Sequence, residues 1–229
     1  MEYPHNRPYT ADDLVRIITL LRDPVDGCPW DKVQTHTSIR MNFLEEAYEA
    51  VDALDLDDPV LMCEELGDVL MQVAFHTCME QETGRFTWEQ VCDGVCQKLI
   101  ERHPNIFGTQ PGYEGITDWD ALKNKEKGRR TLADDLESVP RAMPALMRAA
   151  KLQKRAARHG AALQGADAAA LVDAAENLQT AQPASAQAEQ AVGKLLFAAA
   201  NLARQAGVDP EQALQKANEA FCTAAGPVA

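Results

Sequence analysis

Several features that define other classes of protein are scarce or missing in this sequence of 229 residues. Lysine and arginine number 22 against 35 aspartates and glutamates, which gives a net charge of −13. A chain with this charge repels a phosphate backbone, so general nucleic-acid binding is not expected. No apolar run reaches the ~20 residues that a membrane span needs, and the N-terminal segment has no apolar signal core. These absences predict a soluble cytoplasmic protein that binds neither nucleic acid nor membrane.

Cysteine pairs with metal-ligand spacing are missing as well. None of the six cysteines forms a C-x-x-C pair, and Cys63, Cys78, Cys92 and Cys96 lie in helical patterns among apolar neighbours. Buried reduced thiols explain these positions more simply than a metal or redox site.

Strand-like alternation is also absent, and the apolar residues that are present follow the helical period. The pairs Asp58-Pro59 and Asp209-Pro210 each combine an N-cap residue with proline at the first helical position. Helices are predicted over residues 11–23, 37–53, 59–83, 88–103, 118–129, 144–159, 167–180, 189–206 and 210–225. The fold class is therefore expected to be all-α, with helical bundles joined by short loops.

A weak internal repeat aligns residues 65–75 with residues 191–201. Gly67 aligns with Gly193, whereas Glu65 aligns with Ala191 and Asp68 with Lys194. The second copy thus keeps the packing residues and lacks the acids. Two related helical domains are predicted, one over residues 1–135 with the acidic motif and one over residues 136–229 without it.

Two neighbouring predicted helices carry acidic pairs beside the faces that should be buried. Glu46 and Glu49 flank an expected apolar stripe on the first helix. On the second helix, Glu65 and Asp68 share a narrow stripe with Gln72, and His76 is close by. The apolar stripes expected to face the core contain Phe43, Ala47, Ala50, Val51 and Leu54 on the first helix and Leu66, Leu70 and Val73 on the second.

A short connection makes these helices antiparallel neighbours, so the four carboxylates should converge. Uncompensated, they would repel one another and lose hydration. A divalent cation would relieve both costs, and all-oxygen ligation favours Mg²⁺, with Mn²⁺ as the alternative. Two other interpretations are surface acids in helical salt bridges and a di-iron site, but the latter needs Glu-x-x-His pairs that the sequence lacks.

The segments that carry the acids resemble a known family. Glu45-Glu46-Ala47-Tyr48-Glu49 followed by Glu65-Leu66-Gly67-Asp68 is similar to the E-E-x-x-E…E-x-x-D signature of the MazG nucleoside triphosphate pyrophosphohydrolases. The segments LRDPVDGCPWDKVQTH, KLIERHPNIFG, PALMRAAKLQKRAARHG and NLARQAGVDPEQALQKANEAF resemble that family too, so the likeness extends over nearly the whole chain.

The resemblance implies tandem all-α domains, bundle-type packing completed by homodimerisation, and Mg²⁺-dependent hydrolysis of nucleoside triphosphates to monophosphate and pyrophosphate. Glu46, Glu49, Glu65 and Asp68 match the metal ligands. Glu45, or a ligand carboxylate such as Glu46 or Glu49, would orient the attacking water. The residues that look suited to substrate contact are Lys98, Arg102 and Lys123 for the triphosphate and Trp119 for the nucleotide. Lys98 and Arg102 are equally compatible with a solvated helix edge.

The second half departs from the family pattern. Its acidic motif reads Glu176-Asn177-Leu178-Gln179-Thr180 and Ala191-Val192-Gly193-Lys194, and the family's G-F-D-W reads Gly160-Ala161-Ala162-Leu163. In two-copy members the second copy can be the working one. A non-catalytic helical regulator that binds nucleotide or a protein partner is therefore the alternative to an enzyme that works through its first copy.

Overall fold

The computed structural model describes residues 3–5, 7–104, 106–108, 127–128 and 131–226. The chain divides into two compact units, Met1–Ile116 and Thr117–Ala229, hereafter the first and the second unit. Within the described residues all regular structure is helical, which confirms the predicted all-α class. None of the helices in this part of the chain combines the length and the apolar character that crossing a membrane requires.

The helices of the first unit pack around α3. In order they are α1 (Ala11–Leu21), a 3₁₀ helix (Asp31–Val33), α2 (Arg40–Leu56), α3 (Pro59–Glu82) and α4 (Trp88–Arg102). α3 contacts α1, α2 and α4. The core cluster consists of Ile18, Ile39, Ala74, Phe75, Cys78, Met79 and Trp88.

An ion pair ties α1 to the end of α3. The guanidinium of Arg22 donates from Nε to Oε1 of Glu82 at 2.5 Å and from Nη2 to Oε2 at 2.8 Å. The same guanidinium donates from Nη1 to the carbonyl oxygen of Asp31 at 2.8 Å. Because one side chain joins both helices to the 3₁₀ turn, the segment that leads into α2 is held against the core.

The second unit is built around a long helix rich in alanine. Its helices are α5 (Leu132–Glu137), α6 (Ala145–Arg158), α7 (Ala168–Thr180), α8 (Ala186–Gln205) and α9 (Pro210–Ala225). α8 contacts α6, α7 and α9. Its buried residues include Ala191, Ala198 and Ala200, small side chains that allow neighbouring helices to approach closely.

Capping residues determine several helix starts, as the sequence predicts. Asp58 accepts from the backbone N–H groups of Val60 and Leu61 at the start of α3, and Asp209 does the same at the start of α9. Thr87 forms a capping box with Gln90 at the start of α4. Helix α5 is not among the predicted helices, although Thr131 and Asp134 form a capping box there.

The predicted buried stripes are wrong in part. Val51 and Leu54 on α2 and Leu66 and Leu70 on α3 are exposed, at 50%, 54%, 53% and 40%. The buried positions of α2 are alanines, Ala50 and Ala53. Helical periodicity identifies an apolar stripe, but here the small residues face the neighbouring helix and the larger ones face outward.

The predicted boundary between residues 135 and 136 falls within α5. That helix packs against α6 in the second unit. The assignment of two MazG-like copies stays a prediction. The predicted helix over residues 118–129, including Trp119 and Lys123, lies almost entirely outside the described residues, which in that range comprise only residues 127 and 128.

Candidate metal centre

A tight turn sets the register of the two helices that carry the acids. α2 ends at Leu56, and Asp57 adopts a left-handed conformation with φ of 53°. Aspartate tolerates this region better than most residues with a β-carbon. Asp58 then caps α3, and Pro59 supplies its first residue without needing a hydrogen-bond acceptor. The chain therefore reverses within two residues and lays α2 against α3.

Three of the predicted metal ligands converge across this pair of helices. One carboxylate oxygen from each of Glu46, Glu49 and Glu65 lies within 4.8 Å of the others. Glu46 and Glu65 are half-buried and Glu49 is exposed. We call these three residues the carboxylate cluster. It lies where solvent and a ligand can reach it.

Two carboxylates of the cluster have raised pKa values. Burial is the largest factor that raises the pKa of Glu46, and the charges of Asp68, Glu49 and Glu65 raise it further. Burial likewise raises the pKa of Glu65, followed by the charges of Glu49, Glu64 and Asp68. A raised pKa means that the ionised form is disfavoured in the folded protein.

Asp68 lies on α3 one turn after Glu65 and is half-buried. It is not one of the three residues whose carboxylate oxygens converge, but its charge acts on both Glu46 and Glu65. Glu45 is exposed on α2. The roles of Asp68 as a ligand and of Glu45 in orienting water stay predictions.

The predicted substrate contacts are only partly described. Lys98 is exposed and Arg102 is half-buried on the last two turns of α4, which packs against α3. Their spacing puts both on one side of the helix. Trp119 and Lys123 lie outside the described residues. Contact of these four side chains with a nucleotide stays a prediction.

The donor set of the carboxylate cluster suits a hard divalent cation. All its ligand atoms are carboxylate oxygens, the type that Mg²⁺, Mn²⁺ and Ca²⁺ bind. Within the described residues, no lysine, arginine or histidine forms an ion pair with Glu46, Glu49 or Glu65. A cation would supply the missing positive charge.

A chain of polar contacts lies closer to the C-terminal end of α3, at His76 and Glu80. Nε2 of His36 donates to Oε1 of Glu80 at 2.5 Å, and Nη2 of Arg85 donates to the same oxygen at 2.6 Å. The Nδ1 atoms of His36 and His76 are 2.7 Å apart, and the rings stack at 5.0 Å. Burial, followed by the charge of His36, lowers the pKa of His76.

This histidine pair joins the segment before α2 to α3 and is not among the predicted site residues. The position of His76 near the acidic stripe was a visible signal. Its partner was not, because His36 lies 40 residues away in the sequence and no spacing rule connects them.

The second unit has a groove where its α7 and α8 meet. It encloses about 790 Å³ and is lined by Gln164, Gly165, Ala170, Asp173, Ala186, Glu189, Gln190, Gly193, Lys194 and Phe197. Lys194 is the residue that aligns with Asp68. On α7 the lining residues are Ala170 and Asp173. The segment that aligns with the acidic motif of the family, Glu176 to Thr180, does not line the groove.

The fold and the cluster together define an all-helical protein with a carboxylate site suited to a divalent cation. A model of the MazG nucleotide pyrophosphohydrolase domain matches residues 34–107, a range that contains α2, α3, α4 and the carboxylate cluster. The nucleoside triphosphate pyrophosphohydrolase of Escherichia coli strain K12 is 41% identical over 221 residues, covering 92% of this chain and 83% of that protein.

A second relative is similar over the same extent. The Thermotoga maritima protein named nucleoside triphosphate pyrophosphohydrolase/pyrophosphatase MazG is 39% identical over 212 residues, covering 92% of this chain and 82% of that protein. The chain belongs to the MazG family of nucleotide pyrophosphohydrolases. This confirms the family and the enzyme class that the sequence predicted.

Proposed function

We propose that this protein hydrolyses nucleoside triphosphates to nucleoside monophosphate and pyrophosphate, and that the first unit does so with Mg²⁺ held by Glu46, Glu49, Glu65 and Asp68. The observation that carries the proposal is the convergence of three carboxylates within 4.8 Å on two antiparallel helices. The names of the relatives support the reaction. The location of the site in the first unit is supported by the loss of acids at Ala191 and Lys194 in the second.

Different side chains would bind the cation, orient the attacking water and contact the substrate. Glu46, Glu49, Glu65 and Asp68 would hold the cation at the junction of α2 and α3. When bound, the cation supplies positive charge that stabilises the charge developing on the phosphates and activates water. Glu45, next to the cluster on α2, would orient the attacking water. Lys98 and Arg102 on α4, with Lys123, would neutralise the triphosphate, and Trp119 would contact the nucleotide.

We also propose that the protein forms a homodimer and is located in the cytoplasm. A homodimer would cover the apolar side chains that α2 and α3 expose, which include Val51, Leu54, Leu66 and Leu70. The helical pattern puts Met71 and Phe75 on a second apolar face of α3, which would suit a dimer contact. They do not contribute to that surface, because Phe75 is buried and Met71 packs against the core cluster. All six cysteines are free thiols, as a cytoplasmic protein would have them. The prediction that four of them are buried is wrong for Cys63 and Cys96, which are exposed, whereas Cys78 is buried.

Pyrophosphate release from a mixture of nucleoside triphosphates with Mg²⁺ tests the proposal. The wild-type chain should release pyrophosphate, and Glu65→Ala should abolish release while the far-UV circular dichroism stays helical. Glu189→Ala is the matched control, since it removes the same charge from the groove of the second unit. Unchanged turnover in Glu65→Ala would refute the assignment of the site.

The non-catalytic regulator remains the second candidate because Lys194 replaces an acid in the groove of the second unit. Nucleotide binding by the wild-type chain without pyrophosphate release above background would favour it. Equilibrium binding of a labelled nucleoside triphosphate, measured beside the release assay, separates the two functions.

A further inference from the structure

Gln72 is a polar residue in an otherwise apolar stretch of α3. It lies one turn after Asp68, and its exposed fraction is 7%. Its buried neighbours along the helix are Ala74 and Phe75. Burying an amide is unfavourable unless its hydrogen bonds are made inside the protein, so a residue of this kind needs a reason to be there.

The amide of Gln72 reaches the carboxylate cluster. Its Nε2 donates to Oε1 of Glu46 at 3.4 Å, longer than the typical range of about 2.7–3.2 Å and therefore a weak hydrogen bond. Its Oε1 is fully buried, and within the described residues no protein group donates to it. The Nε2 group therefore contacts a predicted metal ligand, and the Oε1 atom of the same side chain is a hydrogen-bond acceptor without a partner in the part of the chain that the structure describes.

The internal repeat supplies an independent observation. The alignment of residues 65–75 with residues 191–201 puts Gln72 opposite Ala198, which is also buried, with an exposed fraction of 0%. The copy that lacks Glu65 and Asp68 therefore has a methyl group at this buried position. A glutamine needed only to pack the helix would be expected in both copies.

We propose that Gln72 is a positioning residue for the metal centre, an inference that rests on the proposed function. By donating to one oxygen of Glu46, the amide orients this carboxylate and leaves its second oxygen to act as a ligand. Side chains that hydrogen-bond to metal ligands in this way typically change metal affinity by about 10–100-fold when they are replaced. The unused Oε1 is available to accept a hydrogen bond from a water molecule in the loaded site.

Gln72→Met tests this role because methionine has a similar length and cannot donate. Mn²⁺ binding to the full chain, measured by titration calorimetry, should weaken by about 10–100-fold. The electron paramagnetic resonance spectrum of the bound Mn²⁺ should also change. The melting temperature without metal should be no lower than that of the wild type, since the substitution removes a buried acceptor without a partner.

Gln153→Met is the matched control. Gln153 is a buried glutamine in the second unit that donates from Nε2 to the carbonyl oxygen of Phe197 at 2.7 Å, and its Oε1 also has no partner within the described residues. This variant should leave Mn²⁺ affinity within about twofold of the wild type, whatever its effect on melting.

The outcomes separate this inference from the proposed function. If Glu65→Ala abolishes Mn²⁺ binding while Gln72→Met binds as the wild type does, the role of Gln72 is refuted and the metal centre stands. If the wild-type chain binds no Mn²⁺, both fail. If Gln72→Met and Gln72→Ala both lose helical content, Gln72 is a packing residue and the inference is overturned.

Discussion

The two units differ in whether basic side chains pair with their buried or half-buried acids. In the second unit, Asp135 is 1% exposed and is neutralised by the protein itself. Its Oδ1 lies 3.0 Å from Nη1 of Arg155, and its Oδ2 lies 3.2 Å from Nε2 of His159. In the first unit, the carboxylates of Glu46 and Glu65 lie beside other carboxylates. Burial, followed by the charges of these neighbours, raises the pKa of both groups.

This difference teaches that burial of an acid does not by itself indicate a ligand site. Asp135 is more deeply buried than any member of the carboxylate cluster, yet arginine and histidine side chains already lie within ion-pair distance of it. The carboxylate cluster is the better candidate for a metal site, because within the described residues no basic side chain pairs with its negative charges. Removing one partner of a compensated buried acid is costly, whereas acids whose charges lack a partner are candidates for binding an external cation.

The largest effect is expected from breaking the compensated acid. Asp135→Ala leaves the buried guanidinium of Arg155 without its carboxylate, which should lower the free energy of unfolding of the second unit by about 3–5 kcal/mol. Hydrogen exchange of the α6 amides measures this loss, and it should not depend on Mg²⁺. Protection of α6 that stays at the wild-type level would contradict the role given to Asp135.

Replacing Asp68 by lysine, the residue type at the aligned position 194 of the second unit, should abolish metal binding. Asp68→Lys puts an ammonium group where the cation is expected, so Mn²⁺ affinity and pyrophosphate release should fall by more than about 100-fold, beyond the usual effect of an outer-shell residue. Titration calorimetry and the release assay measure the two quantities. Lys194→Ala is the control and should change neither, and a variant Asp68→Lys that still binds Mn²⁺ tightly would remove Asp68 from the site.

A smaller effect should come from the two matching N-caps. Asp58→Ala and Asp209→Ala each remove a side chain that accepts from two backbone N–H groups, at a cost of about 1 kcal/mol. Thermal unfolding measures both. Only Asp58→Ala should also weaken Mn²⁺ binding, because Asp58 lies in the turn that brings α2 to α3. Equal metal affinity in both variants would mean that this turn does not control the cluster.

The pH dependence of the metal-free first unit should be the smallest effect. The pKa values of Glu46 and Glu65 are raised in the folded state, so their protonated forms stabilise the fold. This contribution to the free energy of unfolding is fully present at pH values below the unfolded pKa of about 4.5. It is lost as the pH rises through the raised folded pKa values. Hydrogen exchange of the α3 amides across this range should show declining protection, and saturating Mg²⁺ should abolish the decline.

His76 acts in the opposite direction, so the two contributions can be separated. Its pKa is lowered in the folded state, and the stability it allows is present above the unfolded value of about 6.5 and lost as the pH falls through the folded value. In Glu46→Gln/Glu65→Gln, the decline on the alkaline side should disappear and the loss on the acidic side should remain. A decline that persists on the alkaline side would assign it to other groups.

Local signals predicted most helices because they depend on neighbours in the chain. Asp58-Pro59 and Asp209-Pro210 located the starts of α3 and α9 to the residue. The start of α2 is three residues later than predicted, at Arg40, where Ile39 provides no side-chain cap. The six-residue α5 was missed because its length is too short to show a helical period.

The sequence by itself determined the all-helical class and three acids that meet, because periodicity, capping residues and the spacing of the acidic pairs are properties of adjacent turns. The family followed from the resemblance of its motifs. Only the tertiary structure decided which faces are buried, that Gln72 donates to Glu46, and that His36 meets His76. These contacts join residues far apart in the chain, and they depend on the register and rotation of packed helices, which no local pattern specifies.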